Sequence, residues 1–376
     1  MIAMLRIFSM GVDMYGQAFR RKKRGISAPG TGYRPVWPWG RGRQLEPPLS
    51  FSAQNRNDPR DSEAQQDLQM TNSNDMPLAA KPIDRAAHRR LDEAWLDDAF
   101  RHENVLVLAM RNGEPFVYPG RESGLVWLGP EAARLSPGSP RLFLGEDKAG
   151  NPVFAIDLPE RFDLDASLIA GAGEFRDFRA AAGSIPDMDA NCASTARSIF
   201  MWHQSHRFCS KCGSESAMVE AGWKRQCPQC GAEHFPRTDP VAIMLAEKDG
   251  MALIGRQKIW PPGFYSCLAG FCEPGETIEQ CAAREIFEEA GVVADAASAE
   301  YIACQPWPFP SSLMVGLILQ AETSDISIDE KELETARWVS REEMRQILAG
   351  THEEIFGPPP MAIAHHIMKA WSEKGH

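Results

Sequence analysis

No run of eighteen consecutive apolar residues occurs anywhere in these 376 residues, so the signature of a membrane-spanning helix is missing. An excess of positive charge is missing too. The formal net charge of −11 argues against a protein that coats nucleic acid, although a local basic groove stays open. The cysteines do not come in an even number. There are nine, four of them in two C-x2-C pairs, which suits metal thiolates in a reducing compartment better than a secreted disulfide framework. No internal repeat is visible. What remains is a chain with 43% hydrophobic residues, enough for two or three domains with cores of their own.

Charge is unevenly spread. Before Gln44 there are nine Lys or Arg against one acid, Asp13, with a basic block from Arg20 to Arg24. Pro, Asn, Asp, Gln and Ser then dominate with little apolar periodicity, so residues 1–83 read as a disordered or extended tail. A basic, acid-poor start also fits an organelle transit segment; a plain tail, with Met70 or Met76 as initiator, is the reading preferred here.

Short alternating runs such as "NVLVLAM" and "NPVFAIDLP", broken by Gly, Pro and Asp, predict strands and an α+β domain over 84–205 that ends in a helix from about Ala190. Residues 206–236 hold Cys209, Cys212, Cys227 and Cys230 in the spacing C-x2-C-x14-C-x2-C. Two such knuckles joined by a hairpin predict tetrahedral Zn²⁺; four thiolates fill the shell, so the ion is structural. Residues 237–376 mix further strands with two helical segments.

One of those segments is unusual. From Gly270 to Val292, "GFCEPGETIEQCAAREIFEEAGV" carries six glutamates, one arginine and no lysine. A helix starting near Thr277 and ending at Gly291 puts Ile278, Ala282 and Ile286 on a buried stripe, with Glu285, Glu288 and Glu289 converging on another side. Arg284 lies two turns from Glu276, where the two can pair. The remaining negative charge calls for a hard divalent cation, Mg²⁺ or Mn²⁺.

This stretch matches G-x5-E-x7-R-E-U-x-E-E-x-G-U at Gly270, Glu276, Arg284, Glu285, Ile286, Glu288, Glu289, Gly291 and Val292, and so resembles the Nudix box. "CQPWPFPSS" (Cys304 to Ser312) and the preceding zinc segment are similar to the NADH pyrophosphatase subfamily. Two departures are Cys304 in place of a serine, and Gly222 before Trp223 where the family has a glutamate.

The resemblance implies an α/β/α sandwich with a mixed sheet, preceded by the α+β domain and the zinc ribbon. It implies hydrolysis of NAD(H) to NMN(H) and AMP; removal of the NAD cap from RNA 5′ ends is the same chemistry on another substrate. A ligand-sensing or nucleic-acid-binding regulator is the alternative from a different class. Implied metal ligands are Glu285, Glu288, Glu289, Glu332 and the Ala269 carbonyl, with Arg284 and Glu276 supporting catalysis. Implied substrate contacts are Phe235, Gln305, Pro306, Trp307, Pro308, Phe309, Pro310, Ser311, Ser312 and Ala364. A homodimer and a cytoplasmic setting complete the expectations.

Overall fold

Val107 and Ala109 alternate with Leu108 and Met110 along β1 (Leu106–Arg111), and all four are buried, so both faces of this strand are covered. Asn112 and Gly113 both take positive φ and turn the chain into β2 (Glu114–Val117). β3 (Trp127–Leu128) pairs with β1, and β4 (Arg141–Glu146) forms a hairpin with β5 (Pro152–Leu158). β5 runs parallel to β1, and β6 (Glu174–Phe175) closes on β2, giving the order β4-β5-β1-β2-β6. α1 (Glu93–Ala99) packs with one face; α2 (Phe178–Ala182) and α3 (Asp187–Ser205) pack with the other. The computed structural model describes residues 75–120 and 124–374.

A three-stranded meander follows, β7 (Ala217–Val219), β8 (Lys224–Gln226) and β9 (Glu233–His234). The second large sheet then begins with β10 (Asp239–Lys248), a positive-φ Asp249-Gly250 turn, and β11 (Met251–Arg256). β12 (Leu268–Phe271) pairs with β10, β13 (Glu300–Trp307) with β14 (Ser312–Gln320), and β15 (Thr335–Ser340) with β11. β14 lies parallel to β10, and the order is β13-β14-β10-β11-β15. α4 (Ile278–Ala290) covers one face, while α5 (Arg341–Ala349) and α6 (Ile363–Glu373) cover the other, which is the α/β/α sandwich the sequence implies.

The two sheets share one topology. Hairpin β1–β2 corresponds to β10–β11, β3 to β12, β4–β5 to β13–β14, and β6 to β15; each sheet has its single parallel pair in the same place. The chain therefore holds an internal repeat that the sequence hides. Strand pairing needs the apolar pattern and the turns, not the same residues, so two copies can diverge in identity and keep the pattern. One difference is functional. Where α4 stands between β12 and β13, the first copy has only the 3₁₀ turn Pro130–Arg134 between β3 and β4.

The tail ends earlier than residue 83. Met76 packs in the core between the second sheet and α5 and α6, and Leu78 packs in the core between the first sheet and α3. The carbonyl of Leu78 accepts from Asn191 Nδ2 and that of Pro77 from Gln305 Nε2. A polar-rich composition masked these two apolar anchors. Residues 1–74, with the basic block, lie outside the described residues.

Candidate active site

Thr277 caps α4: its hydroxyl accepts from Gln280 N while Gln280 Oε1 accepts from Thr277 N. Gly291 ends the helix in the left-handed region, with φ of 70°. Ala282 and Ile286 are fully buried and Ile278 is partly buried, so the stripe faces the sheet as predicted.

That orientation fixes the carboxylates. Glu285 and Glu289 belong to the buried side, and Glu289 is 1% exposed. Glu285, Glu289 and Glu332 each offer a carboxylate oxygen within 4.8 Å of the others. Glu332 arrives because the segment before it is tied to the end of α4: Ser327 N donates to Ala290 O and Asp329 N to Glu289 O. Its neighbour Glu334 turns away to pair with Arg256.

Burial pushes the Glu289 carboxyl well above the usual range, with the nearby Glu285 adding to it; burial also raises Glu285. Glu289 Oε2 has no hydrogen-bond partner. A buried carboxylate left in this state is costly, and a divalent cation among three acidic side chains removes the cost. The donor set fits the ion.

Arg284 organises the rest. Its Nε and Nη2 donate to the two oxygens of Glu276 at 2.6 and 2.9 Å, and Nη1 donates to Glu285 Oε1 at 2.8 Å. Glu276 also accepts from Glu273 N, and these bonds, that of Arg284 foremost, hold its carboxyl at about 2. Glu288 stands at the solvent edge, where Arg284 Nη1 donates to its Oε2 at 2.9 Å. It is not part of the three-carboxylate group. Gly270 makes the close fit possible, since a Cβ there would fall 1.8 Å from the Glu285 carboxyl carbon.

Beside the cluster lies an apolar cavity of about 750 Å³. Ala269, one residue before Gly270, lines it, as do Trp307 and Ala364. The other expected substrate contacts are placed differently. Gln305 is fully buried: Nε2 donates to the carbonyls of Pro77 and Met361, and Oε1 accepts from Ile363 N, so its amide is committed to the fold. Phe309 is buried in the core of the first copy, and Phe235 is exposed away from the cavity. Pro306 pairs with Leu313 along β13, Pro308 O accepts from Arg197, and Ser311 Oγ donates to Asp239. Ser312 opens β14 and Pro310 is exposed. Sequence reasoning missed Trp260, Phe264, Phe356 and Met361, which also line the cavity. Their signal was available: "WPPGF" and "FGPPPM" repeat the pairing of aromatic or Met with proline that singled out "QPWPFP".

The four cysteines converge too, with Sγ separations of 3.6 Å (Cys209–Cys230) and 3.5 Å (Cys212–Cys227). A tetrahedral zinc at about 2.3 Å from each sulfur requires about 3.8 Å between sulfurs, so the set fits Zn²⁺.

Comparison with known proteins settles the lineage. The NUDIX domain model matches residues 236–356, the NADH pyrophosphatase zinc ribbon domain matches 204–235, and the NADH pyrophosphatase-like rudimentary NUDIX domain matches 104–202. The NAD-capped RNA hydrolase NudC of Mycobacterium bovis is 35% identical over 61% of this chain and 75% of its own length. The chain belongs to the Nudix hydrolase family. Within it, the chain sits with the NADH pyrophosphatase-type Nudix proteins, which carry the ribbon and the rudimentary first domain. The human mitochondrial NAD(P)H pyrophosphatase NUDT13 is 36% identical over 59% of the chain and 68% of its own length. The human NAD-capped RNA hydrolase NUDT12 is 43% identical over 50% of the chain, which spans only 42% of that relative's length. Nudix hydrolases use divalent metals, and the ribbon with its four clustered cysteines marks a structural zinc site. Among the described residues no helix is long and apolar enough to cross a membrane.

Proposed function

We propose that this Nudix protein hydrolyses the diphosphate bridge of NAD(H), giving NMN(H) and AMP. The single observation that carries the reading is Glu289, 1% exposed with an unpartnered oxygen, grouped with Glu285 and Glu332 at the end of an apolar cavity sized for a nucleotide. Glu285, Glu289 and Glu332 would hold Mg²⁺ or Mn²⁺, with Glu288 and the Ala269 carbonyl as further ligands. When bound, such ions offset the charge of the bridge and lower the pKa of water.

The chain's own residues do the rest. Trp307 offers a flat apolar face to a ring in the cavity, and Ala364 leaves room for it. Arg284, locked to Glu276, orients Glu285. A carboxylate oxygen of the acidic set takes a proton as water oxygen bonds to one phosphorus and the bond to the bridging oxygen breaks. Cys209, Cys212, Cys227 and Cys230 hold Zn²⁺ outside this chemistry.

Glu289→Gln removes the buried charge and keeps the shape. We expect its NADH turnover with Mg²⁺ or Mn²⁺ to fall roughly 10²–10³-fold, with zinc content and melting temperature retained. Mass analysis that finds NMNH and AMP formed at near wild-type rates would overturn the assignment.

Removal of the NAD cap from RNA is a second reading, favoured by the printed activities of the human and mycobacterial relatives. Comparing kcat/KM for NADH and an NAD-capped RNA decides between them. A homodimer and a cytoplasmic setting belong to the same proposal, tested by sedimentation and by imaging of the tagged protein.

A further inference from the structure

The cavity beside the carboxylates is apolar with one exception. Among the described residues that line it, Arg179 alone carries a charge. Arg179 comes not from the second copy but from α2, the short helix that follows the first sheet. Phe178, next to it, anchors α2 in the first copy's core, and Asp177 caps the helix through Ala180 N. The Arg179 guanidinium then lies 4.1 Å from the ring centroid of Phe309. Arg197 of α3 approaches the same ring at 4.9 Å and donates to Pro308 O at 2.8 Å. The Trp307–Phe309 wall of the cavity is thus held from behind by one arginine and edged by another.

A guanidinium is a costly group to bring to an apolar cavity unless an anion comes there too. Its stacking on Phe309 leaves the in-plane N–H donors pointing along the ring, the geometry in which guanidinium meets the oxygens of a phosphate.

We propose that Arg179 is a substrate-binding residue supplied by the rudimentary first copy to the cavity of the second, where it recognises the phosphate of a nucleotide whose ring lies against the apolar walls. The inference rests on the reading of the cavity as a nucleotide site. It assigns the first copy a direct part in substrate selection, besides packing.

The test is binding without added divalent cation, so that no ion among Glu285, Glu289 and Glu332 contributes. Zinc content is checked in the same samples. Titration calorimetry of the full chain compares NMN and AMP with nicotinamide riboside and adenosine, for wild type, Arg179→Gln and Arg179→Lys. Wild type should bind the nucleotides at least about tenfold more tightly than the nucleosides. Arg179→Gln should lose that preference and leave nucleoside affinity in place, while Arg179→Lys recovers part of it. In turnover, Arg179→Gln should raise KM for NADH more than it lowers kcat.

Equal weakening of nucleotide and nucleoside binding would mean that Arg179 only props Phe309, and would overturn the proposal. So would unchanged nucleotide binding in Arg179→Gln, or a wild type with no preference for the phosphorylated ligands. Failure of the wild type to turn over NADH with Mg²⁺ or Mn²⁺ is a different result. It strikes the proposed reaction, whereas phosphate discrimination in the binding data reports on Arg179 alone.

Discussion

Gly270 shows how much one absent side chain does. A methyl there would stand 1.8 Å from the carboxyl carbon of Glu285 and 2.1 Å from its Oε1. Backbone on β12 cannot retreat, because Gly270 pairs in register with Ala242 of β10. Glu285 must therefore swing away. Gly270→Ala is expected to cut kcat on NADH about 10²-fold, since a displacement near 1 Å is enough for that. Its thermal midpoint should move far less, and a variant with full activity would show that Glu285 tolerates displacement. The glutamates of this site were legible from charge crowding alone. The glycine was legible only as a fixed position of the box, because its reason is a contact between β12 and α4 that no local pattern reports. Likewise, Glu330, Glu332 and Glu334 are equivalent by spacing. Only the ties from Ser327 and Asp329 to α4 bring Glu332 inward.

Among the elements, the β13–β14 hairpin most clearly separates pattern from purpose. Its proline-aromatic composition marked it as a binding wall, yet its residues divide among three tasks. Successive strand residues point to opposite faces, so Gln305 and Trp307 share one face of β13. Trp307 reaches the cavity, while Gln305 is occupied with Pro77, Met361 and Ile363. Beyond the strand, Phe309 enters the core of the first copy, 5.9 Å from Phe178. The tethers of Gln305 are 228, 56 and 58 residues away in sequence, which is why sequence periodicity could not reveal them. Gln305→Leu would leave two buried carbonyls and one N–H without their partner. We expect a loss of about 2–4 kcal/mol, read as a lower urea midpoint with an unchanged m value. If stability is kept and KM for NADH rises instead, Gln305 touches substrate after all.

Across the whole molecule, the ribbon stands between two copies of one topology, and a buried histidine fastens it to the first. His203, near the end of α3, is 6% exposed. Its Nε2 donates to Gly222 O at 2.8 Å, and its Nδ1 accepts from Arg225 Nη1 at 3.1 Å. Arg225 in turn donates from Nε to Ser216 Oγ at 2.9 Å, so α3 is bonded to both arms of the zinc hairpin. Both ring nitrogens have fixed roles only when the imidazole is neutral. Burial first, with the Arg225 guanidinium adding to it, depresses His203 from an ordinary 6.5 to about 4, against the opposing pull of the Gly222 carbonyl. Between these values the unfolded chain binds a proton that the folded chain does not. The contribution is therefore whole above pH 6.5 and is lost as the pH falls toward 4, by up to about 3 kcal/mol. Carboxylates and zinc thiolates also titrate on the acid side, so the quantity to measure is a difference. Urea unfolding of wild type and His203→Gln at matched pH should show the wild type losing its margin over the variant between pH 6.5 and pH 4. Parallel curves across that window would mean that the ribbon is held to α3 without help from the neutral imidazole.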